Sequence, residues 1–310
     1  DRHPTMSKHP MTPMHEADLR LHLGEQTSRR IAAINVLHLC QPAAAVQSYW
    51  ETLRASGADI VVFDTIDDGH LLTIGGLLQT LAAARPADQP LFIVGSSGVQ
   101  RALTLHWQHI GHIAQPPPPP SMGAVKQLII VSGSAAPPTA AQIDWAEANG
   151  FVLQRLNAAR LVDPQHADAE RAAAVQTALA ALGTGKSVLL FSARGPDDPH
   201  IASTKAHLAE LALDPNTVGS RLGTQQGLIL RALLEQTGLR RAVVTGGDTC
   251  GYAARQLGIY ALGALMPVAP GAPLCRAYSA DPRFDGLEIS LKAGQVGKVD
   301  YFGSILRGSQ

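Results

Sequence analysis

The chain has no net charge, no paired cysteines and no long apolar run, and each absence closes a class of function. Its 25 basic and 25 acidic residues cancel, so it carries no electrostatic footprint for nucleic acid or an anionic membrane. Small or locally recognised ligands are expected instead. The three cysteines, Cys40, Cys250 and Cys275, are scattered without a C-x-x-C pair, which suits a reducing cytosol better than a disulfide framework. No stretch is apolar and long enough to span a bilayer, and the first residues lack the charged-then-apolar order of a secretory signal. A cytoplasmic protein is therefore expected. Also missing are a repeat of solenoid period and a strand followed by G-x-G-x-x-G with an acid after the next strand. The second absence weighs against a dinucleotide-dependent oxidoreductase.

What is present is ordinary for a globular protein: 310 residues, 45% of them hydrophobic, enough for two domains with separate cores. The first ten residues carry two prolines before any element begins, and read as the middle of a loop in a fragment. Thr12 as cap and Pro13 as first helical residue predict a helix running to about Thr27. Val46, Trp50 and Leu53 recur at helical spacing before a stop at Gly57. Strand-like runs at 59–63 and 91–94 flank a helical stretch from about Gly69 to Ala84. Residues 115–123 hold five consecutive prolines, which favour an extended, semi-rigid spacer. They divide the chain into a domain at 1–115, a linker at 116–123 and a domain at 124–310. Beyond the linker, strands are predicted at 128–131, 151–153, 187–191 and 241–245, with helices near 166–182 and 225–237. The expected fold is α/β, two doubly wound, Rossmann-like domains with mainly parallel sheets.

Three glycine-rich turns stand out. The apolar run 242–245 stops at Gly246 and Gly247, and Asp248 and Thr249 follow where a helix should begin. The run 128–131 likewise meets Ser132, Gly133 and Ser134, with a helix predicted from near Thr139. A third segment, 291–297, contains Gly294 and Gly297. Amides at a strand-to-helix junction cradle phosphate, and the helix dipole favours negative charge. In open α/β sheets ligands sit beyond the carboxyl ends of strands. Each turn alone is more often a tight bend or a helix cap. The three together read as a nucleotide site built from Ser132, Gly133, Ser134, Gly246, Gly247, Thr249, Gly294 and Gly297.

Other motifs keep two readings. Gly183-Thr184-Gly185-Lys186-Ser187 is not a P-loop, because Ala180 occupies the place of the first glycine and the segment precedes a strand; a helix-to-strand loop is expected. Gly95-Ser96-Ser97-Gly98 departs from the G-x-S-x-G of a nucleophile elbow and reads as an anion cradle or a plain turn. Asp64, Asp67 and Asp68 either order a sugar hydroxyl or a magnesium water or cap a helix. Arg2, His3, Lys8 and His9 clamp an acidic substrate or are merely solvated. His106, His109 and His112 share a three-residue spacing with no carboxylate or cysteine, the mark of a wet helix face, so no protein-ligated metal is expected. Cys250 reads as a packing residue or a sensor of bound nucleotide.

In order along the chain, these segments resemble the four-carbon acid sugar kinase family. The resemblance rests on His9-Pro10-Met11-Thr12-Pro13-Met14, Gly95 to Gly98, Val131 to Ser134 with Thr139 and Gln142, Gly246 to Thr249, Pro270 to Pro273, and Leu291 to Gly297. It runs through nearly the whole chain. It implies an N-terminal acid-sugar-binding domain and a C-terminal ATP-binding domain that close to move the γ-phosphate onto the terminal hydroxyl of threonate, erythronate or 3-oxo-tetronate. It further implies ATP contacts at Ser134, Gly247 and Gly294, with Mg²⁺ accompanying ATP. The substrate carboxylate is assigned to His9, Gly95, Ser96, Ser97 and Gly98. Asp248 is the expected catalytic carboxylate, as proton acceptor or as partner of the metal's waters, and Lys292 or the helix dipole at Asp248 offsets developing charge. Two departures stand: Ala135-Ala136-Pro137-Pro138 replaces a Cys-Ser-Pro-type sequence, and the family's opening Asp-Asp-x-Thr-Gly segment is not found. The chain is therefore expected to be a truncated kinase or a catalytically inactive ligand-binding remnant. A homodimer is compatible with the sequence; nucleic-acid and membrane partners are not expected.

Overall fold

The computed structural model describes residues 1–2, 6–8, 13–118 and 120–309. It divides into two compact units, Asp1–Pro117 and Pro118–Gln310. In the first unit α1 (Leu19–Gly24) leads into β1 (Ile31–Ile34), α2 (Val36–Leu39), α3 (Ala43–Ala55), β2 (Ile60–Phe63), α4 (Asp68–Ala83) and α5 (Ser97–His109). β1 and β2 pair in parallel, Ile31 opposite Ile60, and helices form the crossover that parallel pairing requires. The core gathers Ile34, Val46, Ile74, Leu77, Leu78 and Ala102. α4 and α5 approach so closely that a Cβ on Gly75 would lie 2.7 Å from the Ala102 carbonyl carbon.

Two differences from the sequence reading fall in this unit. α1 begins at Leu19 and not near Pro13, because the Asp18 carboxylate accepts from the Arg20 amide at 2.9 Å and so caps the helix there. The apolar run 91–94 forms no strand. Phe92 and Val94 are 88% and 84% exposed, and the sheet of the described residues here consists of β1 and β2 alone. Without a neighbouring ladder, the amides of such a run gain nothing from extension over solvation. The sheet described in this unit is thus two-stranded and parallel.

The second unit runs β3 (Ile129–Ser132), α6 (Pro137–Ala148), β4 (Val152–Arg155), α7 (Ala158–Val162), α8 (Ala167–Gly183), β5 (Val188–Phe191), α9 (Pro199–Glu210), α10 (Val218–Thr237), β6 (Arg241–Thr245), α11 (Gly247–Gln256), β7 (Ile259–Ala269), β8 (Ala272–Ser279), β9 (Glu288–Lys292) and α12 (Tyr301–Arg307). The strands order β4-β5-β3-β6-β9-β8-β7. The first five are mutually parallel; β8 runs antiparallel to β9, and β7 to β8. The architecture is α/β on a mostly parallel mixed sheet.

Alternation along the central strands divides the core in two. Ile129, Val131, Ala242 and Val244 meet α7, α8, α10 and α11 on one face. Leu128, Ile130 and Val243 meet α6 and α12 on the other. β3 therefore feeds a helix on one face and its neighbour β6 feeds a helix on the opposite face. That is the topological switch point at which an open sheet leaves a crevice beyond its carboxyl edge.

The opposite edge is closed by a buried arginine. Arg241, 2% exposed, pairs with Glu288 and donates to the carbonyls of Gly123 at 2.8 Å and Ile305 at 3.0 Å. Arg241→Met is expected to cost roughly 3–5 kcal/mol, because it strands those acceptors and the Glu288 charge; denaturant unfolding read by circular dichroism checks this. Thr184, Gly185 and Lys186 lie in the turn between α8 and β5, the helix-to-strand loop anticipated for that segment. No helix among the described residues is long and apolar enough to cross a membrane.

Candidate functional site: a crevice at the carboxyl ends of β3, β6 and β9

β3, β6 and β9 are adjacent and parallel, so the three glycine-rich turns that follow them emerge side by side. Ser132, Thr245 and Lys292 are in register across the three strands. The structure thus brings together the turns at Gly133, Gly246 and Gly294, which lie 113 and then 48 positions apart in the sequence.

Close approach explains each glycine. A Cβ on Gly133 would collide with the Thr249 hydroxyl and lie 2.7 Å from Gln226 Oε1. One on Gly294 would collide with the Ser134 hydroxyl and lie 3.0 Å from Ala136 Cβ. Gly246 adopts φ +122°, a conformation L side chains avoid, and a Cβ there would stand 3.3 Å from the Ser134 amide nitrogen.

The same geometry revises which amides are available. Gly133 N donates to Thr245 O, and Gly246 N to Lys292 O, each at 2.9 Å. Those two groups extend the sheet ladder and cannot serve a ligand. The free donors lie one step further on. No side chain caps α11, and the amides of Gly247, Asp248 and Thr249 are the orphans of a helix N-terminus. Gly247 and Asp248 are exposed there, while Thr249 is buried. Ser134 is 7% exposed, and its hydroxyl accepts from Ala136 N at 3.2 Å, holding the turn into α6.

Beneath the turns lies a buried polar layer that the sequence reading saw only in part. Thr139 donates to Gly294 O at 2.8 Å. The Gln142 side-chain amide points to the carbonyls of Val296, Gly297 and Lys298 at 3.0–3.1 Å. Gln226 of α10, which the sequence reading passed over, donates to Ser132 O at 2.8 Å. Its only sequence signal was a second glutamine beside Gln225 in an apolar helical pattern. The Ser132 and Thr245 hydroxyls and the side-chain carbonyls of Gln142 and Gln226 are buried without a partner, a cost that native structures rarely leave unanswered. Gly297, at φ +93°, is required by packing: a Cβ would fall 2.6 Å from the Tyr301 ring.

Two charged groups frame the crevice differently. Asp248 is exposed in the first turn of α11, where the dipole favours its negative charge. Lys292 is wholly buried; burial lowers its ammonium pKa to about 8. Nζ donates to Ala293 O at 3.1 Å and Thr139 Oγ1 at 3.4 Å, so it does not reach the surface. Cys250 is also buried, its thiol pushed up to about 11 by desolvation, and Sγ faces the Val244 and Lys292 carbonyls. Packing is its visible role.

In the first unit, Ser96 caps α5 by accepting from Gly98 N at 3.2 Å, and Gly95, Ser96 and Ser97 are exposed. Asp67 caps α4 through His70 N at 3.1 Å, so the capping alternative describes Asp67, whereas Asp68 pairs with Arg101 of α5. His106 packs over Gly76, and His112 lies beyond the end of α5. His15, His22 and Glu25, not singled out in the sequence, place one ligand atom each within 4.8 Å of one another. His3 and His9 lie outside the described residues.

The comparisons with known proteins meet this geometry at the same places. A model of a nucleotide-binding C-terminal domain matches residues 129–302, from the start of β3 into α12. A model of a sugar-binding N-terminal domain matches residues 1–103. A 3-oxo-isoapionate kinase of Paraburkholderia graminis is 42% identical over 308 residues, 99% of this chain and 64% of that protein.

The chain belongs to the four-carbon acid sugar kinase family.

Within the family, a 3-oxo-tetronate kinase of Cupriavidus necator is 30% identical, covering 97% of this chain and again 64% of the relative. The chain thus spans a little under two thirds of the length of these relatives. Among solved structures, a Salmonella typhimurium LT2 protein provisionally described as a tRNA synthase superposes with a TM-score of 0.71 at 21% identity, covering 98% of this chain and 66% of its own. A Haemophilus influenzae protein of the DUF1537 family gives 0.58 at 20% identity, covering 97% and 66%. These two likenesses concern the fold.

Proposed function

We propose that this chain is the nucleotide-binding and part of the sugar-binding machinery of an ATP-dependent kinase that phosphorylates the terminal hydroxyl of a small acid sugar. The observation that carries this reading is the convergence of three glycine turns on one switch-point crevice, with the uncapped N-terminus of α11 opening into it. Family membership supports it. The relatives' names point to a 3-oxo acid, and the higher identity favours 3-oxo-isoapionate over 3-oxo-tetronate.

The residues fit a magnesium nucleotide. Gly133, Gly246 and Gly294 keep the turns free of side chains, and the first amides of α11 are donors without an acceptor among the described residues. Asp248 supplies one exposed carboxylate, and magnesium is commonly held by one or two carboxylates together with substrate phosphates. When bound, the metal neutralises phosphate charge. Phosphoryl transfer otherwise asks for alignment. In this reading the amides of Gly247 and Asp248 orient the phosphates, Ser134 and Thr139 hold the turns, and Asp248 takes the proton of the attacking hydroxyl or would help to hold the metal. The substrate carboxylate is assigned to the exposed turn at Gly95, Ser96, Ser97 and Gly98, with His9 from the opening segment.

Calorimetry with MgATP, followed by coupled ATP-consumption assays on 3-oxo-isoapionate, 3-oxo-tetronate, threonate and erythronate, tests the proposal. Uptake of MgATP and fastest turnover with 3-oxo-isoapionate are expected. Folded chain that takes up no MgATP would overturn it.

A further inference from the structure

Lys292 carries a charge that no carboxylate among the described residues of the second unit pairs with. It is fully buried at the end of β9, and none of the ion pairs among the described residues includes it. An ammonium has three donors; here two acceptors are present, the Ala293 carbonyl and the Thr139 hydroxyl. The Tyr301 ring lies 5.7 Å from Nζ. Burying a cation with so little compensation is expensive, and such placement concentrates at functional sites.

The position of Lys292 in the sheet shows what it acts on. It is in register with Thr245, which is in register with Ser132, so the three share one face, with neighbouring side chains about 4.8 Å apart. Both hydroxyls in this row are buried and unpartnered. α6 covers the row, and its Thr139 accepts from Lys292 while donating to Gly294 O at 2.8 Å. The ammonium therefore grips the Gly294 turn twice, directly at Ala293 O and through Thr139 at Gly294 O.

We propose that Lys292 is a positioning residue of the crevice: from beneath, it holds the Gly294 turn through Thr139 and the Ala293 carbonyl, and its charge favours a polyphosphate above. The inference rests on the nucleotide reading of the crevice. A charge in a low-dielectric interior is felt over a longer distance than one in water, so Lys292 acts on phosphate without touching it. Nearby groups do not confuse its titration. Cys250 from α11 titrates near 11, and burial raises Tyr301 of α12 and Cys275 of β8. Thr139 and Gln142 of α6, and Ser132, Thr245 and Ser290 of the strands, do not ionise. Lys292, lowered to about 8, is the group that loses charge between pH 7 and 9.

The experiment compares the unmodified chain with Lys292→Met, of similar volume, and Lys292→Arg, using calorimetry with MgATP and with inorganic tripolyphosphate and thermal unfolding of each protein. Lys292→Met is expected to melt no lower than the parent, since a buried charge is removed, yet to bind both ligands at least about tenfold more weakly, roughly 1.4 kcal/mol. Lys292→Arg should recover part of the affinity. The parent's affinity should fall several-fold from pH 7 to pH 9, and that of Lys292→Met should stay flat. Equal binding by the parent and a folded Lys292→Met would overturn the proposal. Should the variant not fold, an affinity of the parent that stays constant from pH 7 to pH 9 overturns it as well. Tripolyphosphate binding that depends on Lys292, without binding of MgATP, would leave the inference standing and remove the nucleotide reading instead.

Discussion

Gly294→Ala is expected to weaken MgATP binding by about a hundredfold, close to 2.7 kcal/mol, while the second unit stays folded. The added methyl would collide with the Ser134 hydroxyl and press on Ala136 Cβ. Ser134 cannot yield freely, because its hydroxyl holds Ala136 N at the entry to α6. The turns after β3 and β9 must therefore separate, at an overpacking cost of roughly 1–3 kcal/mol in stability. Ser134→Ala in the same chain removes the colliding oxygen and should recover most of the stability but little of the affinity, since the turn entry is then unsupported. Calorimetry and denaturant unfolding on the parent, both single variants and the pair separate the two effects. A well-folded Gly294→Ala chain with parental affinity would exclude the third turn from the site.

Asp248→Asn is expected to lower turnover by two orders of magnitude or more, in the range of general acid–base effects, with MgATP affinity changed only a few-fold. The carboxylate is exposed at the mouth of the crevice and makes no hydrogen bond or ion pair among the described residues. Its place in the first turn of α11 is also what helix electrostatics alone would favour, so steady-state kinetics must decide. Loss of kcat with KM for ATP retained supports proton transfer. A rise in KM alone supports a part in holding the metal, and full turnover would leave Asp248 a helix-terminal charge.

Much of the second unit is legible in its sequence. The runs at 128–131, 187–191 and 241–245 are short, dominated by apolar residues and closed by Ser or Gly, as strands buried on both faces should be, and all three are strands. The hairpin of β7 and β8 is harder to read: residues 259–269 combine an apolar run with Gly263 and Pro267, and show neither helical nor clean strand periodicity. The run at 91–94 misleads for the opposite reason. Its composition is that of a buried strand, but a strand is defined by its neighbour, and the described first unit offers it none.

The site divides the same way. Which turns meet at the crevice could be read from where glycine interrupts apolar runs. Which amides within them are free could not, because Gly133 N and Gly246 N are taken by carbonyls on strands distant in sequence. Gln226 gives no usable signal for a related reason: its importance lies in reaching Ser132 O from α10, across 94 positions.

By itself, the sequence determined the alternating α/β order of the second unit and the three turns able to approach a polyanion, because apolar periodicity and glycine placement are local properties of the chain. Only the tertiary structure decided that β3, β6 and β9 lie side by side, that their ladder consumes two of the expected donors, and that Lys292 is buried beneath the turns. Register, hydrogen-bond partnership and burial all depend on pairings between residues far apart in the chain, and no local pattern records them.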